Sequence, residues 1–101
     1  MPVVRESVVE KHLVNYANDN GIFTRKCTGQ KSVLDREFLF RGHWLKMEIK
    51  RPGKRPTLSQ IEEMAEIQKN GGWAEWCDSF ESGRRHLDEL LEKGRIERRS
   101  R

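Results

Sequence analysis

Cysteines and long apolar runs are both scarce in this sequence, and each shortage excludes a class of protein. Two cysteines, Cys27 and Cys77, are too few for a disulfide framework, and they lack the CxxC spacing of a structural zinc site. No run of about 18 apolar residues occurs, so no segment is expected to span or bind a membrane. The N-terminal residues contain no apolar signal core, which favours a cytoplasmic protein with reduced thiols.

The sequence is also short, at 101 residues, which leaves room for a single domain with a small hydrophobic core. Hydrophobic residues make up 35% of it and charged residues 36%, so we expect a densely charged surface. The domain is predicted to occupy residues 1–93, where the last amphipathic segment ends. Residues 94–101 are predicted to form a basic, disordered C-terminal tail.

Basic residues are only in slight excess, 20 against 16 acidic ones, and their positions say more than their total. Residues 41–56 carry a net charge of +5 and residues 93–101 a net charge of +4, whereas residues 57–92 carry −6. A basic stretch beside an acidic body suits a polyanionic partner such as DNA. The acidic segment by itself would suit a small partner-binding protein, which stays open as an alternative.

Apolar spacing predicts three helices. The first spans residues 6–18 and ends at Asn20-Gly21, with an inward stripe of Val9, Leu13 and Ala17. The second spans residues 57–70 and begins at a Thr57–Gln60 capping box. Its residues expected to face inward are Leu58, Ile61, Met64 and Ala65. The third lies within residues 83–93 and is marked by Leu87, Leu90 and Leu91.

Alternating residues predict strands at 22–27, 33–40 and 43–50, and a fourth short strand at 73–77. The link Arg41-Gly42 is expected to form a two-residue hairpin turn. One face of this hairpin is expected to hold Leu34, Phe38, Phe40, Leu45, Met47 and Ile49. The order α-β-β-β-α-β-α predicts an α/β protein of the α+β kind, with a mixed sheet flanked by helices.

Asp35, Glu48 and Lys50 form the most informative group. Residues two apart on a strand point to the same face, so Glu48 and Lys50 project together, and Asp35 lies on the facing strand. Two converging carboxylates suit Mg²⁺ or Mn²⁺, and a lysine beside the ion can orient water or neutralise a phosphate. The competing interpretation is a solvated ladder of salt bridges. The metal-site interpretation is favoured by the basic residues that directly follow, because they could hold the phosphodiester backbone of a nucleic acid: Arg51, Lys54 and Arg55.

These residues resemble the virus-type replication–repair nuclease (VRR-NUC) domains of the PD-(D/E)XK nuclease superfamily, in their stand-alone phage and bacterial form. The resemblance covers about residues 6–91 and implies the restriction-endonuclease-like α-β-β-β-α-β core. The matching stretches are Glu10-Lys11-His12-Leu13, Asn20-Gly21, Lys26, Asp35-Arg36, Glu48-Ile49-Lys50-Arg51-Pro52-Gly53, Pro56-Thr57-x-x-Gln60 and Gly71-Gly72.

The resemblance implies a role for each matching site residue. Asp35 and Glu48 would bind the metal, Lys50 would be the catalytic lysine, and further ligands would be Glu10 and the Ile49 carbonyl. Two more residues would reach the site, namely Gln60 and Lys26. Each has a structural alternative: Glu10 as a surface helix residue, Gln60 as a capping residue and Lys26 as a solvated lysine. Trp73 and Trp76 could stack on bases or pack in the core.

The interpretation we favour is therefore a Mg²⁺- or Mn²⁺-dependent DNA endonuclease with a role in repair or recombination. Stand-alone domains of the family are similar to junction resolvases, so the resemblance implies a homodimer that cuts four-way (Holliday) junctions. A flap nuclease, a less selective nuclease and a catalytically idle DNA-binding module stay open as alternatives.

Overall fold

The structure, a computed structural model, describes residues 4–28 and 34–99, except for the side chains of residues 97–99. Within these ranges the elements are α1 (Glu6–Asp19), β1 (Phe23–Lys26), β2 (Arg36–Phe40), β3 (His43–Ile49), α2 (Leu58–Lys69), β4 (Ala74–Cys77) and α3 (Phe80–Arg99). This is the element order that the sequence predicts. The predicted strand start at Val33 and the end of the predicted tail lie outside the described residues.

The four strands form one mixed sheet in the order β1-β2-β3-β4. β2 pairs antiparallel with both β1 and β3, whereas β3 pairs parallel with β4 through the crossover helix α2. Arg41 and Gly42 close the β2–β3 hairpin with φ angles of 50° and 87°, as a type I′ turn requires. The predicted mixed sheet with flanking helices is thereby confirmed.

Helices α1 and α3 pack together over one face of the sheet and form the main core. Its fully buried residues are Val9, Leu13, Ala17, Ile22, Phe38, Leu45, Met47, Ile49, Cys77, Leu87, Leu90 and Leu91. Gly83 of α3 permits this close contact, because a Cβ atom there would lie 2.7 Å from Leu13 and 3.0 Å from the Cys77 sulfur. Among the described residues, none of the helices is long and apolar enough to cross a bilayer.

Helix α2 covers the other face, and it differs from the sequence prediction. Met64 is buried against Ala74, but Leu58 is 72% exposed and Ile61 and Ala65 are exposed too. The prediction that these three residues face inward is wrong, because the helix is rotated about its axis toward Met64 and Ile67. Leu34 also packs here, in the cluster of Met64 and Ala74 and not beside Phe38, since it lies in a bend before β2 begins.

Helix α3 is longer than predicted at both ends. It begins at Phe80 because the Ser79 hydroxyl accepts a hydrogen bond from the backbone N–H of Ser82, at 3.1 Å. It continues to Arg99 and so includes residues 94–99 of the segment that was expected to be a tail. Gly94 is buried, and a Cβ atom there would lie 2.5 Å from the Phe40 ring, so the glycine lets the helix pass closely over β2.

Candidate active site

Asp35 and Glu48 face each other where the β2–β3 ladder ends. The last ladder pair joins Arg36 to Met47, and beyond it side chains replace backbone acceptors. The backbone N–H of Asp35 donates to Oε1 of Glu48 at 3.1 Å, and the N–H of Ile49 donates to Oδ2 of Asp35 at 3.1 Å. Each carboxylate is therefore fixed by the backbone of the opposing strand.

Lys50 follows Glu48 on the same face, as the strand alternation predicts. Its backbone N–H donates to the carbonyl of Cys77 at 2.8 Å, which extends the pairing with β4 by one residue. Its Nζ atom lies 3.3 Å from Oε2 of Glu48. Glu48 is only 2% exposed and Lys50 only 8%, so this is a buried ion pair and not the solvated ladder of the competing interpretation.

The electrostatics of the site are set by crowded negative charge. Burial and the nearby charge of Asp35 raise the pKa of Glu48 to about 7, while the Lys50 ammonium opposes part of that rise. Lys50 supplies one positive charge against two carboxylates. A cation that contacts both carboxylates would relieve the excess charge and favour the ionised form of Glu48.

Helix α1 supplies a third carboxylate, and it comes from Glu6. One oxygen each from Glu6, Asp35 and Glu48 lies within 4.8 Å of the other two. Glu10, the residue that the family resemblance implies, lies one helical turn further along, and the structure does not bring it into this cluster. Its carboxylate instead accepts a hydrogen bond from Nε of Arg36 at 2.9 Å.

The three carboxylates fit a hard divalent cation, because Mg²⁺ and Mn²⁺ prefer oxygen ligands. Ile49 is suitably placed to add a fourth oxygen. Its N–H points at Asp35, and the N–H and C=O of one strand residue point to the same side, so the carbonyl faces β2 as well. The donor set therefore suits a divalent cation of the kind that the sequence predicts.

The other residues predicted for the site lie at its margins. Gln60 forms the predicted capping box: its Oε1 accepts from the N–H of Thr57 at 2.8 Å, and its own N–H donates to the Thr57 hydroxyl. Lys26 is exposed and is the register partner of Arg36, on the sheet face opposite Asp35. The structure thus gives Gln60 a structural task and does not bring Lys26 to the carboxylates.

The basic loop leaves the site directly after Lys50. Arg51, Lys54 and Arg55 are all exposed, so their charges are available to a polyanion. Pro52 and Gly53, the latter with a φ of 84°, form the centre of a turn in which the N–H of Lys54 donates to the carbonyl of Arg51. This is the pattern of a type II turn, which requires glycine at its third position.

A second group of polar residues, to which the sequence assigns no functional role, lies on the same face. Lys46 lies two residues before Glu48 on β3, and Arg25 and Glu37 lie beside it on β1 and β2. The six residues Arg25, Lys26, Cys27, Thr28, Glu37 and Lys46 line an open groove of about 380 Å³, called the basic groove below. Strand alternation places Lys46 on the face of Glu48 and Lys50, but only the pairing of β1, β2 and β3 brings Arg25 and Glu37 beside it.

Trp73, which directly precedes β4, and Trp76, which lies within it, both pack against apolar clusters. Trp73 packs against the main core and Trp76 against the α2 cluster, and both are only half-exposed. This favours the core interpretation over stacking on bases at these two positions.

Comparison with solved structures supports this description of the fold. A solved structure described as a VRR_NUC domain superposes with a TM-score of 0.72 at 24% sequence identity, covering 86% of this chain and 94% of that one. No protein-family model and no curated protein matches the sequence. The chain therefore has the fold of a VRR_NUC domain, as its sequence motifs predict.

Proposed function

We propose that this chain is a divalent-metal-dependent endonuclease that hydrolyses phosphodiester bonds in DNA. The observation that supports this most directly is the convergence of Glu6, Asp35 and Glu48, whose oxygens lie within 4.8 Å, with the Lys50 ammonium beside them. The fold shared with a VRR_NUC domain points the same way, because that printed name denotes a nuclease.

Each residue has a definite task in this proposal. Glu6, Asp35 and Glu48 would hold Mg²⁺ or Mn²⁺, which would supply Lewis-acid stabilisation of a phosphodiester and lower the pKa of a nearby water. The backbone donors of Asp35 and Ile49 fix the carboxylates in place, so their geometry needs no rearrangement. Lys50 would stabilise the negative charge that grows on the phosphate oxygens as water attacks in line. The exposed cations of the 51–55 loop would hold the backbone of the DNA.

Removing the Lys50 ammonium tests this proposal. The Lys50→Ala variant should cleave DNA at least about a hundredfold more slowly with Mg²⁺ or Mn²⁺, the loss typical of a preorganised charge at the reacting phosphate. The matched control is Lys69→Ala, an exposed lysine at the end of α2, which should cleave like wild type. Equal rates for wild type and Lys50→Ala would refute the catalytic role. DNA binding without any turnover would favour the idle binding module.

We propose further that the protein is a homodimer that cuts branched DNA, with the four-way junction as first candidate and the flap as second. Two copies related by a two-fold axis would present two sites to two strands. The exposed apolar positions of α2, Leu58 and Ile61, offer an interface, because solvent-facing side chains of this size favour association. Light scattering should give twice the mass of the chain, and Leu58→Glu should halve it. A monomeric wild type at micromolar concentration would contradict the dimer.

A further inference from the structure

Within residues 4–28 and 34–99, the α2 side of the sheet is only half covered. In these ranges helix α2 packs against β4 and leaves the same face of β1, β2 and the start of β3 open. Three apolar side chains stand in a row across this open part, because the register pairs Phe23 with Leu39 and Leu39 with Trp44. Phe23 is 52% exposed and Trp44 is 46% exposed. We call these three residues the aromatic row, after Phe23 and Trp44 at its two ends, with Leu39 between them.

The aromatic row continues into the basic groove and then into the carboxylate cluster. Every second residue of β3 lies on this face, so Trp44, Lys46 and Glu48 follow one another along it. Strand geometry puts the Cα atoms of Trp44 and Glu48 about 13 Å apart. That length equals the rise of about four base pairs of DNA. A strand whose scissile phosphate lies at the carboxylates would therefore cross the basic groove and reach the aromatic row within about four nucleotides.

The charge of the groove suits a polyanion. Among the described residues, its lining includes two cations that share this face, Arg25 and Lys46, and one carboxylate, Glu37. Arg25 pairs with Glu37, and Lys46 lies 3.8 Å from Glu63. Both pairs are partly solvated, and such ion pairs contribute little, so a phosphate can replace the carboxylates at small cost.

Exposed aromatic side chains on one face of a sheet, next to basic groups, bind unpaired bases by stacking and without sequence preference. We propose that the aromatic row binds the unpaired bases of a single DNA strand, while Arg25 and Lys46 contact its phosphates. The proposal rests on the nuclease function proposed above and selects between its two branched substrates. It favours the flap, in which a strand is unpaired within about four nucleotides of the scissile phosphate, over the four-way junction, whose arms are fully paired.

A second copy of the chain fits this face less well. A two-fold axis through the basic groove would place Arg25 and Lys46 of one copy close to the same two cations of the other. Like charges at such short range oppose association, whereas a nucleic-acid strand brings the opposite charge. The observations therefore favour DNA as the occupant.

Binding of a fluorescein-labelled oligothymidylate, measured by anisotropy in EDTA so that no cleavage occurs, tests the proposal directly. Trp44→Ala should weaken binding about tenfold, within the range that stacking of one base contributes, and Phe23→Ala should act in the same direction. Trp44→Phe should retain most of the affinity because it keeps an aromatic face. The control is Ile96→Ala, which removes a 55% exposed apolar side chain from α3 and should bind like wild type.

Folding and association are monitored in the same variants by circular dichroism and light scattering. If folded Trp44→Ala binds oligothymidylate as tightly as wild type, the proposal is overturned. It is equally overturned if Trp44→Ala leaves binding intact but changes the mass from dimer to monomer, since the row would then be an interface between copies.

Cleavage assays separate this inference from the nuclease proposal. With Mn²⁺, Trp44→Ala should slow cleavage of DNA with an unpaired arm several-fold more than it slows cleavage of linear duplex. Equal slowing of both substrates would refute the assignment of the row to unpaired bases. If wild type cleaves nothing but Trp44→Ala still loses oligothymidylate binding, the nuclease proposal fails and the stacking surface stands.

Discussion

Replacing Glu48 by glutamine is expected to stabilise the metal-free protein at neutral pH. Burial and the charge of Asp35 raise the pKa of this carboxyl from 4.5 to about 7, so the folded protein binds this proton more tightly than the unfolded chain. The stability that results is fully present below pH 4.5 and is lost as the pH rises through about 7. Since each pKa unit is worth about 1.36 kcal/mol, the free energy of unfolding should fall by up to about 3 kcal/mol over this interval.

Urea unfolding followed by far-UV circular dichroism in EDTA measures this change. The difference in unfolding free energy between Glu48→Gln and wild type should grow in favour of the variant as the pH rises from about 5 to about 8. Glu62→Gln, which alters an exposed carboxyl on α2, should reproduce the wild-type pH profile. Addition of Mg²⁺ should stabilise wild type more than Glu48→Gln. A difference that does not vary with pH would refute the argument from buried charge.

Two further predictions concern the main core. Gly83→Ala should lower the free energy of unfolding by about 1–3 kcal/mol, because the new methyl group would lie 2.7 Å from Leu13, and an unchanged urea midpoint would contradict this close packing. Burial raises the pKa of Cys77 to about 12, so mass spectrometry should show alkylation of the half-exposed Cys27 first and of Cys77 only on unfolding. Equal labelling rates in the folded protein would show that the thiol of Cys77 is accessible.

Local sequence signals account for most of the fold. The alternation in residues 43–49, the Arg41-Gly42 turn and the Thr57–Gln60 capping box depend on neighbours in the chain, and the structure confirms all three. The orientation of α2 could not be found in this way. Its apolar residues lie on two stripes about a third of a turn apart, and contact with Ala74 selects the stripe of Met64.

The candidate site, like the fold, could be predicted from local sequence only in part. Strand periodicity alone places Asp35, Glu48 and Lys50 on one face. It cannot choose between Glu6 and Glu10, because residues four apart lie on the same side of a helix. That choice depends on where the start of α1 meets the sheet and on Arg36, which takes Glu10 as its partner. The basic loop was found because it follows Lys50 in the chain, whereas the aromatic row depends on pairing across three strands.

Asp35 and Glu48 are held in place by reciprocal hydrogen bonds from backbone N–H groups. A substitution can therefore remove the negative charge of either side chain without removing the hydrogen bond that positions it. In each bond a carboxylate oxygen accepts a backbone N–H at 3.1 Å, as a peptide carbonyl would in a longer ladder. A side-chain amide has the same shape and keeps one carbonyl oxygen for that N–H. Asparagine at position 35 or glutamine at position 48 can thus preserve the scaffold while removing the negative charge. These two substitutions would therefore report the effect of the carboxylate charges separately from the effect of the side-chain positions.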